Sequence, residues 1–250
     1  MRNLDIIILA AGFGKRTHGI LNGLPKSLIL TSDGKTILDH LIDDLVNKCK
    51  LSQINLITNS LFFNTINSYL KTKYPMVDIT VLDNQILDID KKRGALGDLL
   101  FSIDMLKLDF ESLLVLPSDT AYWSSFSLRE FIDFSYKNAN FSTIVRDVKD
   151  KNIVKNRFGC ATLNIRNEIT SFIEKPENPL TALAASPFYM YRKKHISLLR
   201  QYVAEKKPLD SPGFIIPYLL EKGEVIKAFV VDNQIVDAGV PADIQRVAKY

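Results

Sequence analysis

The sequence predicts an α/β protein with a mostly parallel central sheet that is flanked by helices and carries a small β insertion. Strand-like apolar runs alternate with segments of helical periodicity in the first half of the chain, and this alternation favours a parallel sheet. Two hairpin-like strands then break the alternation in the second half. No linker, repeat or low-complexity stretch divides the 250 residues, so we expect one domain over residues 1–250.

The first half begins with a short apolar run over residues 6–11, which predicts a buried strand. Apolar residues at positions 37, 38, 41, 42, 45 and 46 have the spacing of an amphipathic helix that packs on a sheet. Similar patterns predict strands at 54–58, 78–82 and 112–117 and helices at 62–73 and 99–106. The strand at 112–117 is continuously apolar after its first residue, as expected for burial on both faces.

The second half is less regular. A helix at 128–136 and a strand at 142–146 are followed by a predicted hairpin, whose strands at 158–163 and 169–173 flank turn residues. Pro176 and Pro179 then interrupt regular structure. The remaining predictions are strands at 186–191 and 225–231, helices at 197–205 and 214–221, a short strand before Gly239 and a terminal helix.

Composition argues against several classes of protein. The net charge of +4 is small and its basic residues are scattered, so nucleic acid is not an expected partner. Cys49 and Cys160 lie too far apart to indicate a disulfide scaffold, and the dispersed His18, His40 and His195 argue against a zinc site. No apolar run approaches the roughly 20 residues of a membrane span. We expect a soluble, cytoplasmic protein with no membrane partner.

A candidate phosphate-binding loop follows the first strand, with the sequence Gly12-Phe13-Gly14-Lys15-Arg16 and, further on, Pro25-Lys26. Small residues allow the backbone to approach phosphate oxygens, and Arg16 and Lys26 supply cationic side chains. A dinucleotide-binding fingerprint is excluded because Thr17 stands where its third glycine is required. A Walker A loop is excluded because only one residue separates Gly12 from Gly14. A tight strand-to-helix turn without a ligand remains the alternative.

Two aspartates follow predicted strands. Asp119 lies just beyond the strand at 112–117, at the edge where open α/β sheets bind ligands, and Asp237 lies between a short strand and Gly239. Mg2+ binds carboxylate oxygens and completes its coordination with water and substrate phosphates, so two aspartates are sufficient for a site. Taken singly, each aspartate could instead cap a helix or a turn.

A third candidate is the tripeptide Glu174-Lys175-Pro176 at the end of the strand at 169–173. Successive side chains of an extended chain point in opposite directions, so we expect the carboxylate and the ammonium group to diverge rather than neutralise each other. Such a pair could hold a sugar hydroxyl and a phosphate. The alternative is a solvated surface turn.

Together, these motifs resemble those of the sugar-phosphate nucleotidyltransferase family in order and spacing over nearly the whole chain. The matching segments are residues 9–16 with Pro25-Lys26, the strand before Asp119, the segment 172–176 and the segment 237–241. The resemblance implies a Rossmann-like nucleotidyltransferase fold. It also implies an enzyme of nucleotide-sugar biosynthesis that joins a nucleoside triphosphate to a sugar 1-phosphate and releases pyrophosphate, with Mg2+ as its cofactor.

The resemblance also implies a role for each motif. Arg16 would bind the triphosphate and Lys26 would reach its α-phosphate, which makes these two the candidate catalytic residues. Asp119 and Asp237 would bind Mg2+. The acceptor sugar and its phosphate would contact Gly159, Glu174 and Lys175. The implied nucleotide-binding residues are Leu9, Ala10, Ala11, Gly12, Gly14, Lys15, Gly94, Gly97 and Asp98.

Some segments depart from the family pattern. The asparagine and glycine that line the sugar in hexose-activating relatives are replaced within residues 184–189, which extends the candidate acceptors to smaller alcohol phosphates. Thr17-His18-Gly19 replaces the usual leucine and proline. The loop at 94–98 differs from those of uridylyl and thymidylyl transfer, which makes a cytidylyltransferase a serious candidate. CTP or UTP is the favoured nucleotide. The chain ends soon after Asp237, so we expect a monofunctional enzyme, with homo-oligomerisation left open. The alternative function is a catalytically inactive regulatory subunit that binds nucleotide sugars on the same fold.

Overall fold

The computed structural model describes residues 3–14, 19–123, 125–232 and 234–249. Its strands are β1 Leu4–Ala10, β2 Gln53–Thr58, β3 Asp78–Asp83, β4 Ser112–Pro117, β5 Thr120–Ala121, β6 Phe141–Asp147, β7 Gly159–Leu163, β8 Ile169–Ile173, β9 Leu183–Arg192, β10 Ile226–Val231 and β11 Val236–Asp237. Its α-helices are α1 Ile37–Asp43, α2 Phe63–Lys73, α3 Ala95–Met105, α4 Leu128–Asn138, α5 Lys151–Val154, α6 Lys193–Ala204, α7 Ile215–Glu221 and α8 Pro241–Val247.

In the described residues, nine strands form the central sheet, and seven of them follow the order β10-β6-β9-β4-β1-β2-β3. Strands β1 to β4 are parallel to one another, and β10 is parallel to β6. Strand β9 runs antiparallel between β4 and β6, and the β7–β8 hairpin pairs with its start. The predicted fold class, a mostly parallel sheet with a small β insertion, is confirmed.

Helices cover both faces of the sheet because side chains of the central strands alternate between two apolar layers. Ile7 and Val115 point to the layer formed with helices α3, α6 and α7, whereas Ile6, Ile8 and Leu114 point to the layer formed with α1, α2 and α4. Every residue of β4 is buried, as the apolar run predicted. None of the described helices has the length and apolar character needed to cross a membrane.

Most predicted elements are present, and the differences have local causes. Helix α3 begins at Ala95, four residues before its predicted start, because Gly94 adopts φ +77° and allows the chain to turn directly into the helix. Helix α1 begins with a capping box, in which Thr36 and Asp39 bond each other's backbone N–H. The short elements β5 and α5 were not predicted, since two and four residues carry no periodic signal.

Candidate active site

A pocket of about 340 Å3 opens at the carboxyl ends of β1 and β4. Its wall includes residues from β1 and the following loop, from the end of β4, from the start of α3 and from the loop before α7. The sequence-predicted residues on this wall are Leu9, Ala10, Ala11, Gly12, Gly14, Lys26, Gly94, Asp98 and Asp119. Most of the predicted nucleotide-binding residues therefore lie on the wall of one pocket.

The crevice exists because strands β4 and β9 separate at their ends. Their pairing stops at Val115 opposite Tyr189, and continuing that register would place Pro117 opposite Pro187. Neither proline can donate a backbone hydrogen bond, and the pairing of β9 with β6 also shifts register beside Pro187. Both prolines line the pocket.

Side-chain hydrogen bonds from the end of β2 and the residue after it fix the start of the loop that follows β1. Nδ2 of Asn59 donates to the carbonyl of Ala11 at 3.0 Å, and Oγ1 of Thr58 donates to that of Ala10 at 3.3 Å. Gly14 adopts φ +62°, and a Cβ on Gly12 would meet no atom of the described residues within 4 Å, so these residues leave space over the loop. Lys15 and Arg16, both predicted to bind the nucleotide, lie outside the described residues, as do Thr17 and His18.

Lys26 and Asp119 form an ion pair on the pocket wall. Nζ of Lys26 lies 3.3 Å from Oδ2 of Asp119, and the two side chains are 20% and 28% exposed. Lys26 begins a short 3-10 helix after Pro25, and Asp119 follows β4. Because both groups remain accessible, an anionic ligand in the pocket can reach the ammonium group.

Asp237 is brought beside Asp119 by a two-stranded ladder between β5 and β11. In this ladder Asp237 pairs with Thr120, and the N–H of Ala238 donates to the carbonyl of Asp119 at 2.9 Å. Burial and the negative charge of Asp119 raise the pKa of Asp237 to about 7, against the opposing effect of Lys26 and Arg146. The two predicted metal ligands are therefore adjacent and repel each other when both are ionised.

The chemistry of this carboxylate pair fits a hard divalent cation, which would relieve the repulsion. No cluster of three or more His, Cys, Asp or Glu side chains suited to a metal occurs among the described residues. Mg2+ needs no such cluster, since water and phosphate oxygens complete its coordination.

At the opposite end of the pocket, the start of α3 packs tightly against the loop before α7. A Cβ on Gly94 would lie 2.6 Å from the backbone carbonyl of Leu209, and the N–H of Leu96 donates to that carbonyl at 3.0 Å. Asp98 is on the pocket wall, whereas Gly97 lies against Arg93 and Leu209 and not on that wall. Burial raises the pKa of Asp98 to about 6.

The predicted acceptor residues lie beside the pocket but not on its wall. The Glu174 carboxylate sits in a slot between Gly159 and Gly213, where a Cβ on Gly159 would lie 3.0 Å from Oε2 and one on Gly213 would collide with it. Oγ of Ser211 donates to Oε1 of Glu174 at 2.6 Å. The Glu174 side chain is only 7% exposed, and this burial raises its pKa.

The expected divergence of Glu174 and Lys175 was wrong. Nζ of Lys175 lies 4.0 Å from Oε1 of Glu174, at the limit of an ion pair. The extended geometry assumed for the prediction does not hold, because Lys175 has φ +48° and its N–H donates to the carbonyl of Phe158. This left-handed turn directs the lysine back towards the carboxylate.

Sequence reasoning missed the segment 209–213, which joins the two ends of the site. Asp210 and Pro212 line the pocket, and Ser211 and Gly213 contact Glu174. The only signal in the sequence was the run Ser211-Pro212-Gly213, which is typical of a turn and says nothing of its partners. Pro187, inside a predicted strand, was the corresponding signal for the crevice.

The carboxyl edge of the parallel sheet carries a glycine loop, a lysine and two adjacent carboxylates. These features are those of an α/β protein that binds phosphates. The chain belongs to the nucleotidyl transferase family, whose model matches residues 5–249. The resemblance found in the sequence motifs is thereby confirmed.

Two relatives align with nearly the whole chain. It is 28% identical to the bifunctional protein GlmU of Methanocaldococcus jannaschii over 99% of its own length, but spans 54% of that protein, about half. It is 25% identical to the UTP–glucose-1-phosphate uridylyltransferase AglF of Haloferax volcanii, covering 96% of this chain and 93% of that one.

The fold is also similar to a solved structure. It superposes with a TM-score of 0.78 and 23% identity on a Bacillus anthracis protein that is named as a glucose-1-phosphate thymidylyltransferase. The crystal structure of that protein is a complex with a sucrose. The match covers 98% of this chain and 94% of that chain. This likeness supports the mostly parallel sheet and its flanking helices.

Proposed function

We propose that this protein is a sugar-phosphate nucleotidyltransferase, with residues 1–250 as a single catalytic domain. It joins a nucleoside triphosphate to a sugar 1-phosphate or a related alcohol phosphate and releases pyrophosphate. The observation that carries the proposal is the Lys26–Asp119 ion pair, which shares one pocket with the glycine loop and has Asp237 beside it. The names of the relatives, which include uridylyl- and adenylyltransferases, agree with this reaction class.

The reaction needs no nucleophile from the protein. A phosphate oxygen of the acceptor attacks the α-phosphorus in line, the bond from that phosphorus to the bridging oxygen breaks, and pyrophosphate leaves. Both reactants are anions, so the main task of the protein is to position them and to stabilise the accumulated negative charge. Lys26 is proposed to contact the α-phosphate, and Arg16 is proposed to hold the departing phosphates.

Asp119 and Asp237 are the residues that would hold Mg2+. When bound, the cation neutralises charge on the triphosphate oxygens. The two carboxylates would hold it beside Lys26, whose ammonium group pairs with Asp119. Because Lys26 already pairs with Asp119, the lysine and the metal site are proposed to act on the same phosphate group.

The two substrates are assigned to opposite sides of the segment 209–213. CTP or UTP is the proposed nucleotide, with its base near Gly94, Gly97 and Asp98. The acceptor is proposed to contact Gly159, Glu174 and Lys175, where the buried carboxylate would accept a hydrogen bond from a hydroxyl group.

A pyrophosphate-release screen tests the proposal. It crosses ATP, CTP, GTP, UTP and dTTP with hexose, heptose, polyol and aminoalcohol phosphates in the presence of Mg2+. We expect at least one pair to release pyrophosphate only when both substrates are present. Tight nucleotide binding without release from any pair would instead support a regulatory subunit.

A further inference from the structure

Asp98 is a buried carboxylate on the pocket wall with few hydrogen bonds of its own. Its residue surface is 6% exposed, and it lines the pocket together with Leu9, Ile89 and Ala95. Among the described residues, one side chain donates to it: Nδ2 of Asn84, at 2.9 Å from Oδ1. A carboxylate has roughly four acceptor sites, so most of its capacity is unused. Because Asp98 lies on the pocket wall, this spare capacity is available to a donor group of a ligand.

The position of this carboxylate is fixed by its neighbours. Asn84 is anchored because its N–H donates to the carbonyl of Thr58 at 2.9 Å and its Oδ1 accepts from the N–H of Ile86 at 3.0 Å. The guanidinium of Arg93, which is the charged group facing Asp98, donates to the backbone carbonyl of Asn84 and stacks on the ring of Phe101. The cation therefore supports Asn84 and leaves the carboxylate available to the pocket.

The surroundings of Asp98 indicate what kind of ligand group would meet it. The apolar side chains of Leu9, Ile89 and Ala95 form a surface suited to a flat, weakly polar group, whereas Lys26 and Asp119 mark the phosphate end of the same pocket. A nucleoside triphosphate likewise has a flat, weakly polar base and a charged phosphate chain. A base placed at the Asp98 end would meet an acceptor, and a base carbonyl in the same place would face a negative charge.

We infer that Asp98 selects a base with an exocyclic amino group, so that CTP is preferred over UTP. The inference rests on the proposed function for the assignment of a nucleotide to this pocket. The inferred contact is to position 4 of the pyrimidine, where the amino group of cytosine donates a hydrogen bond to the carboxylate and uracil carries a carbonyl oxygen that the carboxylate repels. A well-placed contact to a base edge discriminates by about 1–3 kcal/mol, which corresponds to roughly fivefold to 150-fold in affinity.

Equilibrium binding of free triphosphates tests this without an acceptor or turnover. CTP is compared with UTP, and ATP with ITP, since each pair exchanges one amino group for a carbonyl. Of the pair that binds more tightly, we expect the wild-type protein to bind the member with the amino group at least about fivefold better. Asp98→Asn keeps an oxygen for Asn84 but also presents an amide N–H, so the preference should fall to near unity or reverse.

Asp104→Asn is the matched control, because it removes the same charge from an exposed position of α3 that pairs with Arg200. It should retain the wild-type preference. Equal binding of the two members by the wild type, or an unchanged ratio in Asp98→Asn with an unchanged melting temperature, would overturn the inference. Failure of the pyrophosphate screen refutes only the proposed reaction, since the binding ratio is measured independently of it.

Discussion

Nζ of Lys26 and Oδ2 of Asp119 lie 3.3 Å apart on the wall of the crevice, with both side chains partly open to solvent. The aspartate is thus the counter-ion of the lysine before any anionic ligand arrives. A phosphate that enters the crevice competes with Asp119 for the ammonium group, and a cation bound to Asp119 would favour the exchange.

Replacing Lys26 with Ala should lower pyrophosphate release by about a hundredfold or more, because one preorganised charge contact to the reacting phosphate is lost. The fold should be intact, since Lys26 belongs to a short surface helix. The measurement is steady-state release together with a thermal melt. Lys35→Ala, which breaks an exposed ion pair with Asp43, is the control and should keep full activity. Near-normal release by Lys26→Ala would remove the lysine from the mechanism.

Replacing Asp237 with Asn should stabilise the metal-free protein at pH 8, because it removes a buried charge that Asp119 repels. Thermal unfolding with and without Mg2+ measures the effect. The wild type should gain melting temperature with Mg2+ by mass action, and the variant should gain much less. An equal Mg2+ shift in both proteins contradicts the assignment of Asp237 as a ligand.

Replacing Ser211 with Ala should raise the KM for the acceptor phosphate by about tenfold, because a hydrogen bond to a charged carboxylate is worth about 1.5–3 kcal/mol. The KM for the triphosphate should change little. Steady-state kinetics with each substrate varied in turn separates the two effects. Ser211→Thr keeps the hydroxyl and should restore the acceptor KM, whereas a parallel rise in both constants would indicate a general disturbance of the segment 209–213.

Acidification should destabilise the fold through His195. Its side chain is fully buried at the start of α6, and burial lowers its pKa from 6.5 to about 4, although Glu224 opposes this. The unfolded chain therefore takes up a proton below about pH 6.5 that the folded chain resists, so stability is present above that pH and is lost as pH falls towards 4. The maximal slope for one proton is about 1.4 kcal/mol per pH unit.

Urea unfolding at pH 7.5 and at pH 5 measures this loss. His195→Asn removes the titrating ring and serves as the comparison, since ionisable groups that do not contact His195 titrate equally in both proteins. The difference in unfolding free energy between wild type and variant should shrink at pH 5. A difference that is the same at both pH values would exclude the histidine as its source.

The sequence predicted the elements whose signal is local. Strand β4 was placed correctly because an unbroken apolar run between Ser112 and Pro117 defines both its ends. Asp119 was found for the same reason, since a polar residue just beyond a buried strand lies at the ligand-binding edge. The antiparallel direction of β9 had no such signal, because it depends on pairing with distant strands.

The slot around Glu174 was only half predictable. Gly159 and Glu174 belong to motifs that the family resemblance identified, but Ser211 and Gly213 reach the carboxylate from a loop 37 residues or more away in the chain. The direction of Lys175 was missed because a positive φ at a non-glycine residue is rare and no residue type announced it.

The two prolines at the ends of β4 and β9 also determine how durable the crevice is. A gap between two strands can close when the backbone N–H groups on either side form hydrogen bonds across it. The gap is then in equilibrium between an open and a paired state. Pro117 and Pro187 have no amide hydrogen, so neither can donate a hydrogen bond across the gap at any pH or temperature. This property belongs to the covalent structure of the two residues. A ligand that enters the crevice therefore has no hydrogen bond donated by Pro117 or Pro187 to break.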